Sequence, residues 1–304
     1  MVQAAMAGKR NLLDPLVSDN DHHGTLYIVG TPIGNLEDMT LRALRILKEV
    51  DLIACEDTRR TQQLLNFYQI LTRTVSYHEH NEMTRAPELV VQMEEGTNIA
   101  LVTDAGMPVI SDPGFRLVHL AVRHGIPVVP IPGASAFVAA LAASGMPVDR
   151  FRFLGFLPSR RGERQKALER MKEATKTLVF YEAPHRVADM LKHALEVLGD
   201  REAVIAREVT KVHEEFLRGT LSSLFAELKK KPVKGEITVL VGPHAVGTPS
   251  VLSERPNPLR KDVEQVMATR GLDERGALKF VARARGMSRS EAYRQLQLEK
   301  NAKP

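Results

Sequence analysis

Short apolar runs alternate with helical patterns over residues 25–144, and this alternation constrains the fold more than any other feature. Each apolar run has the length of a buried strand, and each helical pattern repeats its apolar residues every three to four positions. Strands that alternate with helices indicate a mostly parallel sheet with helices on both faces. We predict strands at 25–29, 52–55, 98–102 and 127–131, and helices at 40–49, 58–68, 84–95, 115–124 and 134–144.

A second α/β set follows a break at 145–158 that is rich in Gly, Pro and Phe. A chain of 304 residues is longer than one core usually serves, so we expect two α/β domains, at 24–140 and 141–245. In the second domain we predict strands at 177–181, 203–206 and 236–241, a candidate antiparallel strand at 214–218, and helices at 161–174, 184–198 and 221–230.

The two ends of the chain differ from this body. The first 23 residues lack the apolar core of a secretory signal, and we expect a disordered extension there. The Pro-, Gly- and Ser-rich stretch 246–258 predicts a linker. Three short helical patterns follow at 259–270, 274–285 and 288–298, with Gly271 and Gly286 at the joints and a Ser288–Glu291 capping box. This pattern favours a small, helix-turn-helix-like domain over 259–304.

Positive charge is concentrated in that last domain. From residue 259 onward there are eleven basic and six acidic residues, so its excess of 11 − 6 = +5 equals the net charge of the whole chain, 42 − 37 = +5. A basic tail on a neutral body favours a polyanionic partner such as a nucleic acid, and a solvated helical face is the alternative.

Composition limits the remaining classes of protein. A single cysteine excludes a disulfide framework within the chain, which suits a reducing compartment, so we expect a cytoplasmic protein. No apolar run reaches the roughly 20 residues needed to cross a bilayer, so we expect no membrane partner. His78 and His80 would point to opposite faces of an extended segment, and no third ligand is well spaced, so we expect no metal.

Four loops follow predicted strands of the first domain, at the edge where open α/β sheets bind ligands. Loop 1 (30–38) carries two glycines and a proline, but it lacks the endings of phosphate-binding and dinucleotide loops. Loop 2 (56–60) sets two carboxylates beside two guanidiniums, as an acid/base and phosphate site or as a helix cap with surface pairs. Loop 3 (103–114) is long and built of small residues, and we predict that it holds a ligand. Loop 4 (131–136) either approaches a ligand or packs tightly on the sheet.

Eight segments together resemble a known family. Any one of them is a weak signal, but their common order and spacing are specific. They are similar to the small-subunit ribosomal RNA methyltransferases of the tetrapyrrole methylase superfamily, and they lie at 27–61, 76–82, 104–114, 131–137, 153–160, 179–187, 206–219 and 234–242.

This resemblance implies a fold and an activity. It implies two α/β domains of the tetrapyrrole methylase type (class III methyltransferases), with S-adenosyl-L-methionine held in the cleft between them. It implies methylation of the ribose 2′-oxygen of a cytidine in the decoding region of 16S ribosomal RNA, within the 30S subunit, by a homodimer. It assigns cofactor contacts to the following residues: Gly30, Pro32, Gly34, Asn35, Asp104, Ala105, Gly106, Ser111, Pro132, Gly133, Ala134, Ser135, Tyr181, Ala183 and Ala206.

A ribose hydroxyl is a poor nucleophile while protonated, so a general base would help. Candidates are Glu56, Asp57, His78 and Glu182, and also Lys211 if burial depressed its pKa. Arginine offers a fixed fork for phosphate oxygens, so candidate RNA contacts are Arg59, Arg60 and Arg186 in the body and Arg283, Arg285, Arg289 and Arg294 in the tail.

Three other functions compete with this interpretation. The same fold could methylate a small tetrapyrrole, although the arginines of loop 2 and the basic tail argue against it. A non-catalytic RNA-binding assembly factor would bind no cofactor. A DNA regulator would use the helical tail but leave the large body without a purpose.

Overall fold

The computed structural model describes residues 23–244 and 258–301. Apart from residues 23 and 258, the predicted extension at 1–23 and the predicted linker at 246–258 lie outside the described residues.

The first sheet has five strands, all paired in parallel, in the order β3-β2-β4-β1-β5. Four of them confirm predicted strands. The fifth, β3, was not predicted, because it is only three half-buried residues at the edge of the sheet and has no apolar run. The strands are β1 Leu26–Val29, β2 Leu52–Cys55, β3 Thr74–Ser76, β4 Ile99–Val102 and β5 Val128–Ile131.

Helices cover both faces of this sheet, as the alternation predicts. One face packs on the first two helices through Leu47 and Leu65, and the other packs on the next two through Met93 and Leu117. Strands buried on both faces are apolar at every position, which explains the continuous apolar runs. The helices are α1 Leu41–Glu49, α2 Thr58–Phe67, α3 Glu82–Glu94 and α4 Phe115–Arg123, and a 3₁₀ turn spans Leu36–Asp38.

The second sheet is mixed, in the order β6-β7-β10-β8-β9. Only β6 and β7 are parallel, and β9 pairs antiparallel with β8, which confirms the candidate strand there. Strand β6 lies within the expected break at 145–158. It was not predicted because it is a half-exposed edge strand interrupted by Gly155. The strands are β6 Phe151–Phe156, β7 Thr177–Glu182, β8 Glu202–Arg207, β9 Glu215–Thr220 and β10 Ile237–Val241.

Helix α5 (Ala136–Ser144) packs on the second sheet, although it directly follows the first. Leu141 lies in one apolar cluster with Val179 and Leu240. A domain boundary at 140 would cut this helix, so a boundary at 132–135 fits the packing better. The opposite face of the sheet is covered by α6 Arg161–Glu169, α7 Val187–Leu198 and α8 Leu221–Lys230.

The tail forms three helices around its own small core, α9 Leu259–Arg270, α10 Glu274–Ala284 and α11 Arg289–Asn301. Gly271 ends α9 in the left-handed conformation, and Ser288 and Glu291 exchange the hydrogen bonds of the predicted capping box. None of the described helices is both long and apolar enough to cross a membrane.

Loops 1 and 4 leave the neighbouring strands β1 and β5 at two glycines that almost touch. A Cβ added to Gly133 would lie 2.8 Å from backbone atoms of Gly30, and a Cβ on Gly30 would lie 2.7 Å from the Cα of Gly133. Contacts this short cannot be relieved by turning a side chain, because both partners are main chain.

Gly133→Ala is therefore expected to destabilise the protein by about 1–3 kcal/mol through overpacking. Gly162→Ala is the matched control, because a Cβ added there in α6 would meet no described atom within 4 Å beyond its own helix backbone and chain neighbours. The control should be neutral or slightly stabilising. Urea unfolding of both variants measures the difference, and equal stability of the two would contradict the packing argument.

Candidate functional site

A central cavity of about 400 Å³ lies between the carboxyl edge of the first sheet and one end of the second. The ends of β6, β7 and β8 and the start of β10 meet at that end of the second sheet. The volume is within the usual range for small-molecule sites. Its walls are Ile33, Ala105, Gly106, Met107, Ile110, Ser111, Asp112, Ser135, Ala136, Phe156, Tyr181, Glu182, Ala183, Pro184, Val209, Gly235, Glu236, Ile237 and Thr238.

Loop 3 forms one wall of the cavity and is held in a strained conformation. Thr31 and Gly106 exchange two backbone hydrogen bonds of 2.9 and 3.1 Å, which tie loop 3 to loop 1. Val109 and Ser111 have φ values of 75° and 65°, which side-chain-bearing residues rarely adopt. Backbone strain of this kind is typical of functional loops.

A side cleft of about 450 Å³ adjoins the cavity and shares Ile33, Ala105 and Glu236 with it. One side is formed by loops 1 and 3, and the other by helix α2 and by Lys211. Its further walls are Pro32, Gly34, Leu36, Arg60, Thr61, Gln63, Leu64, Phe67, Thr103, Asp104 and Lys211.

The predicted cofactor contacts fall into three groups. The cavity is lined by Ala105, Gly106, Ser111, Ser135, Tyr181 and Ala183. The side cleft is lined by Pro32, Gly34 and Asp104. The remaining six line neither the cavity nor the side cleft, and two of these are Pro132 and Ala134. The structure shows another role for the other four: Gly30 and Gly133 let two loops approach each other, Asn35 caps the 3₁₀ turn, and Ala206 is buried in β8.

Glu182 is buried at the end of β7 and lines the cavity. Its Oε1 accepts a 2.9 Å hydrogen bond from the backbone N–H of Ala183 and lies 3.3 Å from Nε of Arg186. Its Oε2 is buried and has no hydrogen-bond partner among the residues that the structure describes. A buried carboxylate oxygen without a donor is costly, so this atom is suited to receive a donor from a ligand.

The arginines predicted to bind RNA differ in exposure. Arg59 and Arg60 are 87% and 70% exposed beside the side cleft, where they pair with Asp57 and Asp104. Arg186 is mostly buried and donates to the carbonyl of Leu157, so the structure favours a positioning role over a phosphate contact.

In the tail, Arg285 is largely buried and pairs with Asp262, so it joins α10 to α9 rather than facing a partner. Arg283, Arg289 and Arg294 are exposed. A tail groove of about 680 Å³ is lined by Arg275, Leu278, Arg289, Ser290, Tyr293, Arg294 and Gln297.

In the part of the chain that the structure describes, no group of three or more His, Cys, Asp or Glu side chains is placed to hold a metal ion. His78 and His80 contact each other edge to face, with ring centroids 5.9 Å apart.

Residues 25–224 match the family of tetrapyrrole (corrin/porphyrin) methylases. This match spans well over half of the chain. The chain belongs to the tetrapyrrole methylase family. The resemblance found in the sequence is thus confirmed.

Curated relatives of this methylase carry the name ribosomal RNA small subunit methyltransferase I. The protein from Halalkalibacterium halodurans is 49% identical over 275 residues, which cover 90% of this chain and 94% of that protein. The protein from Synechocystis is 45% identical over 281 residues, which cover 92% and 99% of the two chains. The protein from Micromonospora olivasterospora is 43% identical, with 92% and 89% covered.

Solved structures share the fold of the methylase at low sequence identity. A cobalt precorrin-4 methyltransferase of cobalamin biosynthesis has a TM-score of 0.55 at 19% identity, covering 75% of this chain and 98% of that one. Diphthine synthase has a TM-score of 0.54 at 16% identity, covering 72% and 90%. These structures confirm the predicted fold class.

Two candidate bases of the methylase have pKa values that argue against that role. Hydrogen bonds from Arg59 lower the pKa of Asp57 to about 2, and Asp57 also caps α2 through the N–H of Arg59. Burial would lower the pKa of Lys211, but hydrogen bonds and charges from Glu208 and Glu236 outweigh it and raise this pKa. The condition set for Lys211, a depressed pKa, is therefore not met.

Asp112 is a cavity carboxylate that no sequence pattern marks as a site residue. Burial raises its pKa to about 6, the charges of Glu56 and Asp104 add to the rise, and a hydrogen bond with Thr103 opposes it. These neighbours belong to other loops or to the far end of loop 3, so no local sequence signal could have marked Asp112.

Asp112→Asn is expected to stabilise the ligand-free methylase. The pKa of Asp112 in the folded protein is raised from 3.8 to about 6, so ionising Asp112 opposes folding. The protein therefore becomes less stable as pH rises from 3.8 to about 6, and the full loss is present at pH 7. Allowing for partial exposure, we expect a gain of about 1–2 kcal/mol at pH 7. The gain should vanish near pH 4 in urea unfolding, and a less stable variant at pH 7 would contradict the assignment.

Proposed function

We propose that the protein transfers a methyl group from S-adenosyl-L-methionine to the ribose 2′-oxygen of a cytidine in the decoding region of 16S ribosomal RNA, within the 30S subunit in the cytoplasm. The observation that carries the proposal is the cavity between the two sheets in a chain whose relatives are named small-subunit ribosomal RNA methyltransferases.

The residues around the cavity fit this methyl donor. Small residues at Ala105, Gly106, Ala136 and Ala183 leave the main chain accessible to a ligand. The unpartnered Oε2 of Glu182 can accept a hydrogen bond from an amino or hydroxyl group. The donor supplies a methyl group already activated by positively charged sulfur.

The chain itself has to position the reactants and exclude water. The hydrogen bonds between Thr31 and Gly106 fix loop 3 in place before any ligand arrives. Such preorganisation can supply a large part of a displacement reaction's acceleration. Phe156 and Tyr181 close the cavity on the side of the second sheet.

The side cleft is the proposed site of the target nucleotide, because it adjoins the cavity and is flanked by Arg59 and Arg60. The tail groove provides a second contact with RNA. Arg275, Arg289 and Arg294 form no ion pair with any described residue, and exposed Tyr293 offers a ring for stacking.

Glu56 is the general base that we favour. It follows β2 directly, and one of its carboxylate oxygens accepts a 3.0 Å hydrogen bond from the hydroxyl of Thr103, beside the wall of the side cleft. Asp57 and Lys211 lack a suitable pKa, and Glu182 already has a role toward the donor.

Mapping of ribose methylation in small-subunit RNA, after incubation of 30S subunits with the protein and labelled donor, tests the function. A single modified cytidine in the decoding region is the expected result. Label on an added porphyrinogen instead would favour tetrapyrrole methylation, and calorimetry that detects no donor binding would favour a non-catalytic assembly factor.

Glu56→Gln should lower the single-turnover rate of methyl transfer about 10²–10⁴-fold, the usual effect of losing a general base. Asp57→Ala is the neighbouring control. It removes a helix cap and should lower the melting temperature by a few degrees while the chemical rate stays within about threefold. A full rate in Glu56→Gln would remove Glu56 from the base role.

Arg289→Gln combined with Arg294→Gln should weaken binding to 30S subunits. The slope of log binding constant against log salt concentration should become shallower, by the amount expected for the loss of about two phosphate contacts. Lys229→Gln, which removes an exposed charge from α8, is the control. Filter binding over a range of salt concentrations measures both slopes, and a slope unchanged from wild type would contradict a role of the tail groove in RNA binding.

A further inference from the structure

The charge lining the central cavity is of one sign. Asp112, Glu182 and Glu236 line it, whereas none of its lining residues in the described part of the chain is a lysine, arginine or histidine. Glu236 contributes least to a ligand's environment, since its side chain is 70% exposed and its charge is therefore screened by solvent. The acidic character of the cavity therefore rests on Asp112 and Glu182.

Both of these carboxylates have pairing capacity that a ligand could satisfy. Glu182 pairs with Arg186 through one oxygen, and its other oxygen is buried with no hydrogen-bond partner among the described residues. Asp112 forms no ion pair with any basic residue among those described, and it lies near the negative charges of Glu56 and Asp104. A buried carboxylate such as Glu182 and a partly buried one such as Asp112 are both stabilised by a positively charged ligand.

The aromatic wall of the cavity points to the same class of ligand. The rings of Phe156 and Tyr181 lie 5.6 Å apart and both line the cavity. The faces of aromatic rings attract cations but give a neutral group only apolar contact.

Methyl transfer changes the charge of the ligand in this cavity. The substrate oxygen bonds to the methyl carbon, the electron pair of the broken carbon–sulfur bond stays on sulfur, and the hydroxyl proton leaves to a base or to solvent. The positively charged sulfonium thereby becomes a neutral thioether.

We propose that Asp112 and Glu182 are specificity residues that make the cavity prefer the positively charged methyl donor over its neutral thioether product. This inference rests on the proposed function, because it assumes that the donor binds in this cavity. The preference weakens the hold on the product as soon as the methyl group has left, which favours exchange for fresh donor.

Calorimetry with three ligands tests this proposal. S-adenosylmethionine carries the sulfonium, S-adenosylhomocysteine is the neutral product, and sinefungin carries an amine near the sulfonium position. The wild type should bind both cationic ligands more tightly than the product. Asp112→Asn and Glu182→Gln should each reduce this preference about tenfold, the effect of removing one charge-assisted contact, while product affinity stays within about twofold.

Glu49→Gln, which removes an exposed carboxylate at the far end of α1, controls for net charge and should leave the preference unchanged. Thermal melting of each variant checks that it is folded, and Asp112→Asn alone suffices if Glu182→Gln does not fold. A preference unchanged in the folded variants, with all three ligands still bound, would overturn the inference and leave the proposed function standing. Absence of binding of every ligand to the wild type would overturn the proposed function itself.

Discussion

Two hydrogen bonds between the main chains of Thr31 and Gly106 hold loop 3 against loop 1, and the candidate site depends on this connection. Between Gly106 and Gly114 the loop passes through positive φ at Val109 and Ser111, at an expected cost of about 1–3 kcal/mol for each residue. A loop under such strain keeps one conformation only if its ends are fixed. The hydrogen bonds to loop 1 fix one end, and helix α4, which begins directly after Gly114, fixes the other.

The same region joins the two halves of the body. Ile33 of loop 1 belongs to an apolar cluster that includes Leu141 of α5 and strand residues of the second sheet. Gly155 of β6 leaves room for Ser111, whose hydroxyl oxygen would lie 3.0 Å from a Cβ there. The cavity therefore has walls from both halves of the body, with Asp112 contributed by loop 3 and Glu182 by the end of β7.

The sequence predicted an element correctly where local signals determine its ends, or where a strand is buried on both faces of its sheet. Strand β2 and helices α8 and α9 have the predicted bounds. The edge strands β3 and β6 were not predicted, because an edge strand need not be apolar. Helix α5 was grouped with the first sheet but packs on the second, because hydrophobic periodicity does not indicate which sheet a helix covers. The four loops that follow predicted strands of the first domain each contribute residues to the walls of the cavity or the side cleft.

Individual roles within the site could not be predicted in the same way. Asp112 acquires its raised pKa from burial and from carboxylates of other segments. Lys211 and Arg285 looked available for chemistry or for RNA, and the fold pairs both of them with carboxylates. Charge pairing of this kind is a property of the tertiary structure.

We infer that the methyl donor binds between the two sheets, against loop 3. Amide hydrogen exchange with and without saturating S-adenosylmethionine measures whether it does. Exchange should become slower in loop 3, in residues 133–136 and in residues 181–184, with the tail helices α9 to α11 unchanged. Protection confined to the tail, or none in the body at saturating donor, would contradict it.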